Sequence, residues 1–277
     1  MGGSILSNYI FDSHVHSINS FDGEESVDTL CSFSLKNNID GICITDHCEI
    51  NEYNEEVERC IRKSHLDVEA AQKKYEGRFI VRKGIELAQP LQNLKVAESV
   101  LEKFPSDFII GSMNNPKDEQ DFYYITKEEF MDKRRLDQLL TKYYEEYYEM
   151  TKWGKFDVIG HITYPLRYIE GVHGIKVEMS KYNEIIFEML KVAAQNGIGI
   201  EVNVSGFRQP YKKQFPNFEH IKAYRNFGGE IVTIGTDSHT SSTLGSYFEK
   251  GEEILNQAGF KYYSSFKEHK PQMIKID

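Results

Sequence analysis

The chain has 277 residues, 40% hydrophobic and 27% charged, a composition of ordinary globular proteins and enough material for one large α/β barrel or two modest domains. Its 43 Asp and Glu outnumber 33 Lys and Arg, giving a net charge of -10 with nine His neutral; that lacks the basic footprint of a general nucleic-acid binder but leaves room for a few placed arginines on a small anion. No apolar run of about 18 residues predicts a transmembrane helix, and the four cysteines form no Cys-x-x-Cys pair or disulfide framework, as expected for a reducing cytoplasm.

Met1 to Leu6 has Leu6 where a myristoylation signal requires Ser or Thr, and no secretory signal is evident. The first strand signal is an apolar run ending at Phe11, followed by Asp12-Ser13-His14-Val15-His16. Residues two apart on a strand share a face, so His14 and His16 point together beyond its end, a rigid half-site for a metal ion. Residues 25–37 carry Val27, Leu30, Cys31, Ser34 and Leu35 at helical spacing. A second strand, 39–45, ends in Asp46-His47, and Cys48 reads as a small buried thiol. Residues 51–76 are helix-prone; a third strand, 79–85, ends in Glu86.

The alternation continues with a helix over 92–103 and a fourth strand, 107–112, ending in Met113-Asn114-Asn115. Residues 126–153 read mostly as one long helix, with Tyr143, Tyr144, Tyr147 and Tyr148 as packing and surface aromatics. A fifth strand, 156–160, closes on His161. A helix over 180–196 buries Ile185, Ile186, Met189, Leu190 and Ala193 and stops at Gly197. A sixth strand covers 198–203, a helix 218–227, and a seventh strand, 230–236, ends in Asp237-Ser238-His239. A last helix over 241–258 is followed by a short tail.

Strand and helix alternate seven times without a Pro/Gly/Ser linker, which predicts a parallel β/α arrangement and a single domain over residues 1–277. A doubly wound sheet binds its ligand at one switch point with few strands. Here His, Asp or Glu stands at the C-terminal end of at least five strands, the radial placement of a barrel site. Seven units instead of eight predict a distorted (β/α)7 TIM-like barrel.

With His14-Val15-His16, Thr45-Asp46-His47, Gly84-Ile85-Glu86, Gly160-His161 and Asp237-Ser238-His239 in this order, essentially the whole chain resembles the polymerase and histidinol phosphatase (PHP) family. The resemblance implies a distorted seven-stranded barrel carrying two to three divalent ions, Zn, Fe or Mn. It assigns a first ion to His14, His16, Glu86 and Asp237, a second to Glu86 and His161, and a third to His47, His239 and Asp22. One position departs from it: the family pattern Gly-Ser-x-His is here Gly111-Ser112-Met113-Asn114. Asn114 offers a weaker, neutral oxygen, so the second site is expected to be looser or vacant.

Within the family, Glu201-Val202-Asn203-Val204-Ser205-Gly206-Phe207-Arg208 followed by Pro210 and Lys212, and Gly160-His161 followed by Arg167, resemble the histidinol-phosphate phosphatases. The likeness implies a cytoplasmic enzyme of histidine biosynthesis hydrolysing L-histidinol phosphate. Arg167 and Arg208 would hold the phosphate, since a guanidinium offers paired donors and stays charged. Asp237 and His239 would manage protons, and Glu201 and Asn203 would hydrogen-bond the ligands rather than coordinate. His65, His173, His220 and His269 lie outside the motifs and are expected to be surface or structural residues. Another small phosphomonoester as substrate, or a barrel that binds metal or a phosphorylated ligand without turnover, stays open because of Asn114.

Overall fold

Strands that are apolar and buried on both faces pair in parallel when helices can cover both sides, and this chain supplies a helix after nearly every strand. In the computed structural model, which describes residues 9–276, the strands are β1 (Phe11–Val15), β2 (Gly41–Ile44), β3 (His47–Glu49), β4 (Ile80–Ala88), β5 (Phe108–Ser112), β6 (Val158–Ile159), β7 (Gly199–Asn203) and β8 (Val232–Gly235). The segment from Met1 to Leu6, read above for a lipidation signal, lies outside the described residues. Seven strands run in parallel in the order β1-β2-β4-β5-β6-β7-β8, with β3 alongside β4. The sheet curls round until β1 meets β8. There the His16 N–H donates to the Ser238 carbonyl at 2.8 Å and the Ser238 N–H to the His14 carbonyl at 3.3 Å. The result is the expected nearly closed seven-stranded barrel. Its closing seam runs between the segments that carry His14, His16, Asp237 and His239.

The outer layer comprises α1 (Val27–Lys36), α2 (Glu55–Lys74), α3 (Leu94–Lys103), α4 (Lys127–Met131), α5 (Lys133–Trp153), α6 (Asn183–Gln195), α7 (Phe218–Asn226) and α8 (Phe248–Ala258). Local sequence sets their ends: Ser26 and Asn54 accept from the first free N–H groups of α1 and α2, and Gly154 and Gly259 close α5 and α8 in left-handed conformations. None of the described helices is long and apolar enough to cross a membrane.

Four expectations are corrected. The second strand breaks after Ile44, and the chain resumes one strand width over as β3, pairing His47 with Glu86 and Glu49 with Ala88. Pairing with both β2 and β3 lengthens β4 to nine residues, so Glu86 sits inside a strand instead of at its end. The long helix divides at Asp132, whose side chain accepts from the Arg134 and Arg135 N–H groups and starts α5 afresh; of its tyrosines, 143, 144 and 147 are fully buried. The tail is an antiparallel hairpin, β9 (Tyr262–Lys267) and β10 (Lys270–Lys275), turning at Glu268 and His269, both left-handed. It packs beneath the barrel, Phe266 stacked on Phe108 and the Tyr263 hydroxyl accepting from the Phe11 N–H. A two-residue turn without Asn-Gly carries little signal in sequence.

Candidate metal centre

Backbone register brings the site together. β1 aims His14 and His16 into the barrel mouth, and the β3–β4 pairing places His47 opposite Glu86. Glu86, 1% exposed, is the hub. Its Oε2 lies 2.8 Å from His47 Nδ1, 3.4 Å from His14 Nε2 and 3.6 Å from His16 Nε2, and its Oε1 lies 2.8 Å from His161 Nε2. Beyond β8 the chain turns through Asp237 at φ 52°, a left-handed conformation uncommon for aspartate, which puts Asp237 Oδ1 3.4 Å from His16 Nε2 and 3.8 Å from His14 Nε2. Asp22 spans the outer pair, 3.5 Å from His47 Nε2 and 3.0 Å from His239 Nε2. His16 belongs to both groups, since its ring stacks on His47 and on His239 at 4.2 and 4.3 Å.

The residues fit divalent cations. His14 Nε2, His16 Nε2, His47 Nδ1, Glu86 Oε2 and His239 Nε2 are buried without a well-formed hydrogen bond, and they fall into two overlapping groups, His14, His16 and Asp237 beside His16, His47 and His239, with Glu86 Oε2 within 3.6 Å of His14, His16 and His47. Such a set is costly to bury unless ions satisfy it. Burial alone would depress His14, but the carboxylates of Glu201, Glu86 and Asp237 outweigh it and hold the imidazole well above its usual range. Burial and the neighbouring His47 and His239 push His16 down to about 3, leaving a neutral ligand. Against their burial, the surrounding histidines hold Glu86 and Asp237 well below the carboxylate range, so both stay ionised.

The ligands are themselves held. Glu201, fully buried on β7, accepts from His14 Nδ1 at 2.6 Å through one oxygen and from the His161 N–H at 2.8 Å and Asn203 Nδ2 at 3.2 Å through the other. It therefore fixes two ligands, one on β1 and one following β6, the hydrogen-bonding part expected of it. Asp46 does not face the cluster. It collects the Ser17 N–H and the hydroxyls of Ser17, Ser20 and Ser64, and so shapes the loop that carries Asp22.

Above the cluster lies a cavity of about 480 Å³. Asp22, His47, Glu86, Asn114, His161, Arg167, Asp237 and His239 line it, together with Phe21, Asp121, Tyr123, Tyr124, Tyr164 and Tyr168. Arg167 enters at the start of a π-helical turn, Arg167–Val172, a form common at functional sites. Arg208 does not line the cavity. Its Nη2 donates to the Asp237 carbonyl at 2.6 Å, and its Nη1 is buried without a partner. Asn114 turns its amide nitrogen to Glu49 Oε1 at 3.2 Å. Glu49, which the sequence reading passed over, is also 3.5 Å from His47 Nδ1. The alternation that singled out His14 and His16 points to Glu49 as well, once 47–49 is known to be a strand. Asp121, Tyr123, Tyr124 and Tyr164 of the cavity wall belong to irregular segments without periodic signal, and Tyr168 sits in the π-helical turn. Cys48 is buried, and His65, His173, His220 and His269 stand apart from the cluster against Ser106, Phe130, Asn183 and Asp157.

Comparison with known proteins places the barrel in a family. The PHP domain model matches residues 12–205, and the chain belongs to the PHP domain family. It is 26% identical over 259 residues to a "Probable histidinol-phosphatase" of Thermotoga maritima, covering 91% of this chain and 94% of that protein. It is 23% identical over 257 residues to the histidinol-phosphatase of Lactococcus lactis, covering 92% and 93%. The crystal structure of histidinol phosphate phosphatase from Lactococcus lactis, complexed with Zn, L-histidinol and phosphate, superimposes with a TM-score of 0.77 at 21% identity, covering 95% of this chain and 98% of that one. That likeness establishes the shared barrel.

Proposed function

We propose that this PHP-domain protein is a metal-dependent phosphoric monoester hydrolase that converts L-histidinol phosphate to L-histidinol and phosphate, the whole chain acting as one domain. The observation that carries the reading is the cluster around Glu86, two aspartates and five histidines whose rings each hold a buried nitrogen without a hydrogen bond, beneath a cavity with a guanidinium on its wall. End-to-end likeness to histidinol-phosphatases selects the substrate. Two to three divalent ions are assigned to His14, His16, Glu86 and Asp237, to Glu86, His161 and Asn114, and to His47, His239 and Asp22. When bound, they supply Lewis acidity toward the phosphoryl oxygens and lower the pKa of water.

The chain's own groups do the rest. Arg167, lining the cavity, donates to the phosphate oxygens and neutralises charge that grows in the transition state. Arg208 acts at one remove, its Nη2 holding the Asp237 loop while its Nη1 stays buried without a hydrogen-bond partner. Asp237, held ionised, is a poor proton donor. In the two-ion form, with no ion on His47, His239 and Asp22, the proton for the leaving alkoxide is therefore assigned to His239, which lies on the cavity wall. Phe21, Tyr123 and Tyr124 form an aromatic rim that restricts water around the substrate. The four unpaired cysteines suit a cytoplasmic location.

The test is phosphate release from L-histidinol phosphate by protein loaded separately with Mn, Zn and Fe, beside a panel of other small phosphomonoesters. A clear preference for histidinol phosphate supports the reading. Equal rates across the panel assign a broader phosphomonoesterase, and ligand binding without turnover assigns the silent barrel that Asn114 leaves open.

A further inference from the structure

We propose that Glu49 is a ligand of the ion shared by Glu86 and His161, completing a site that Asn114 alone leaves short of donors. The proposal rests on the metal-centre reading above. Two of the three candidate sites have ample donors: His14, His16, Asp237 and Glu86 converge on one, and His47, His239, His16 and Asp22 surround another. The third has only the Glu86 Oε1 and His161 Nε2 pair, 2.8 Å apart, to which an amide oxygen adds little. A divalent ion needs four or more donors, and neutral amides are weak ones.

Four consecutive strands face this third position. β3 carries Glu49, β4 carries Glu86, Asn114 follows β5 and His161 follows β6. Glu49 shares a face with His47 on β3, and its carboxylate is held by defined partners. Gln89 Nε2 donates to Oε2 at 3.0 Å and also to Asn115 Oδ1 at 2.8 Å, while Oε1 meets Asn114 Nδ2 at 3.2 Å and His47 Nδ1 at 3.5 Å. The Gln89 backbone is left-handed at φ 49°, and its N–H is tied to the Ser112 carbonyl. One carboxylate oxygen is thus clamped, and the other is presented on the side of Asn114 and the hub. Next to it, His47 Nδ1 on the same strand and Glu86 Oε2 on β4 lie 2.8 Å apart without a well-formed hydrogen bond, so Glu49 Oε1 stands at the edge of the hub. Replacing imidazole nitrogen by carboxylate and amide oxygens makes this a harder site, favouring Mn over Zn relative to an imidazole-rich one.

Metal content per chain and dissociation constants, by emission spectrometry and chelator competition with Mn and Zn, test this in the wild type, Glu49→Gln, Asn114→His, the double variant and His16→Ala. Glu49→Gln is expected to weaken one ion by about a hundredfold or more, above the roughly tenfold to hundredfold typical of residues that only orient a ligand, and to leave the others in place. Adding Asn114→His restores that ion with a preference moved toward Zn. Unchanged stoichiometry and affinity in Glu49→Gln overturn the proposal. So does a loss that Asn114→His fails to rescue, which would make Glu49 a partner of His47 alone. Should Glu49→Gln not fold, Asn114→His by itself decides: an unchanged Zn-to-Mn affinity ratio overturns the proposal. Loss of ions in His16→Ala with none lost in Glu49→Gln rejects Glu49 and keeps the centre. No ion bound by the wild type rejects both.

Discussion

Replacing Glu201 by Gln removes a charge and changes a single atom type, and the structure forces a specific failure. The Glu201 carboxylate accepts from three donors: His14 Nδ1 on one oxygen, and the His161 N–H and Asn203 Nδ2 on the other. A glutamine has only one acceptor oxygen to offer. If that oxygen faces His161 and Asn203, its NH2 faces His14 Nδ1, which must then accept. The ring proton moves to Nε2, the atom aimed at Glu86 and Asp237, and His14 loses its ligand lone pair. If the amide turns round, its NH2 opposes two donors in a site with no water access, at a cost of about 1–3 kcal/mol. Either way the expected loss is about tenfold to hundredfold in metal affinity, or about 1.4–2.8 kcal/mol, with little change in fold because the side-chain volume is kept. Chelator competition with Mn or Zn measures it, and urea unfolding in chelator controls for stability. An affinity within threefold of the wild type would refute the assignment of Glu201 as the residue that sets the His14 tautomer.

Arg167→Ala should lower kcat/KM by roughly tenfold to hundredfold, the worth of one charge-assisted contact, with metal content unchanged; loss of metal would remove its phosphate role. Arg208→Ala should lower both activity and metal content, because the same guanidinium holds the left-handed Asp237 carbonyl. In Gly235→Ala the new methyl would lie 2.3 Å from Glu201 Oε1 and 2.6 Å from His14 Cβ, so the unfolding free energy from urea titration should fall by about 1–3 kcal/mol and metal should bind more weakly. Normal metal affinity there would mean that β8 yields without moving the ligands. Burial pushes His65 and His220 down to about 4. Both are neutral in folded and unfolded chains above pH 6.5, whereas below it the unfolded chain takes up protons that the fold refuses. Stability of the chelator-treated protein should therefore fall between pH 6.5 and 4, by on the order of 3 kcal/mol per histidine at the lower limit. His220→Gln should flatten part of that slope in urea titrations at several pH values, and an unaltered slope would exclude His220 as a source.

The parts legible in the chain were those set by neighbours in sequence. Strand alternation alone projects His14 and His16 to one side, and apolar runs separated by amphipathic stretches suffice for a parallel barrel, because both follow from backbone period and burial. Motif order then carried Glu86, His161, Asp237 and His239 into one family pattern. What needed the fold is whatever depends on register between distant strands. Only the displacement of β3 onto β4 sets His47 against Glu86 and brings Glu49 beside Asn114. Only the barrel's closure puts β1 beside β8, so that a left-handed Asp237 reaches both histidines. Arg167 and Arg208 looked equivalent as loop arginines. The structure sends one to the cavity wall and the other to a backbone carbonyl, because a flexible side chain's partner is chosen by the packing around it, which no local pattern encodes. The C-terminal hairpin escaped for a related reason: its buried face exists only where the barrel floor offers Phe108 and the start of β1 to cover it.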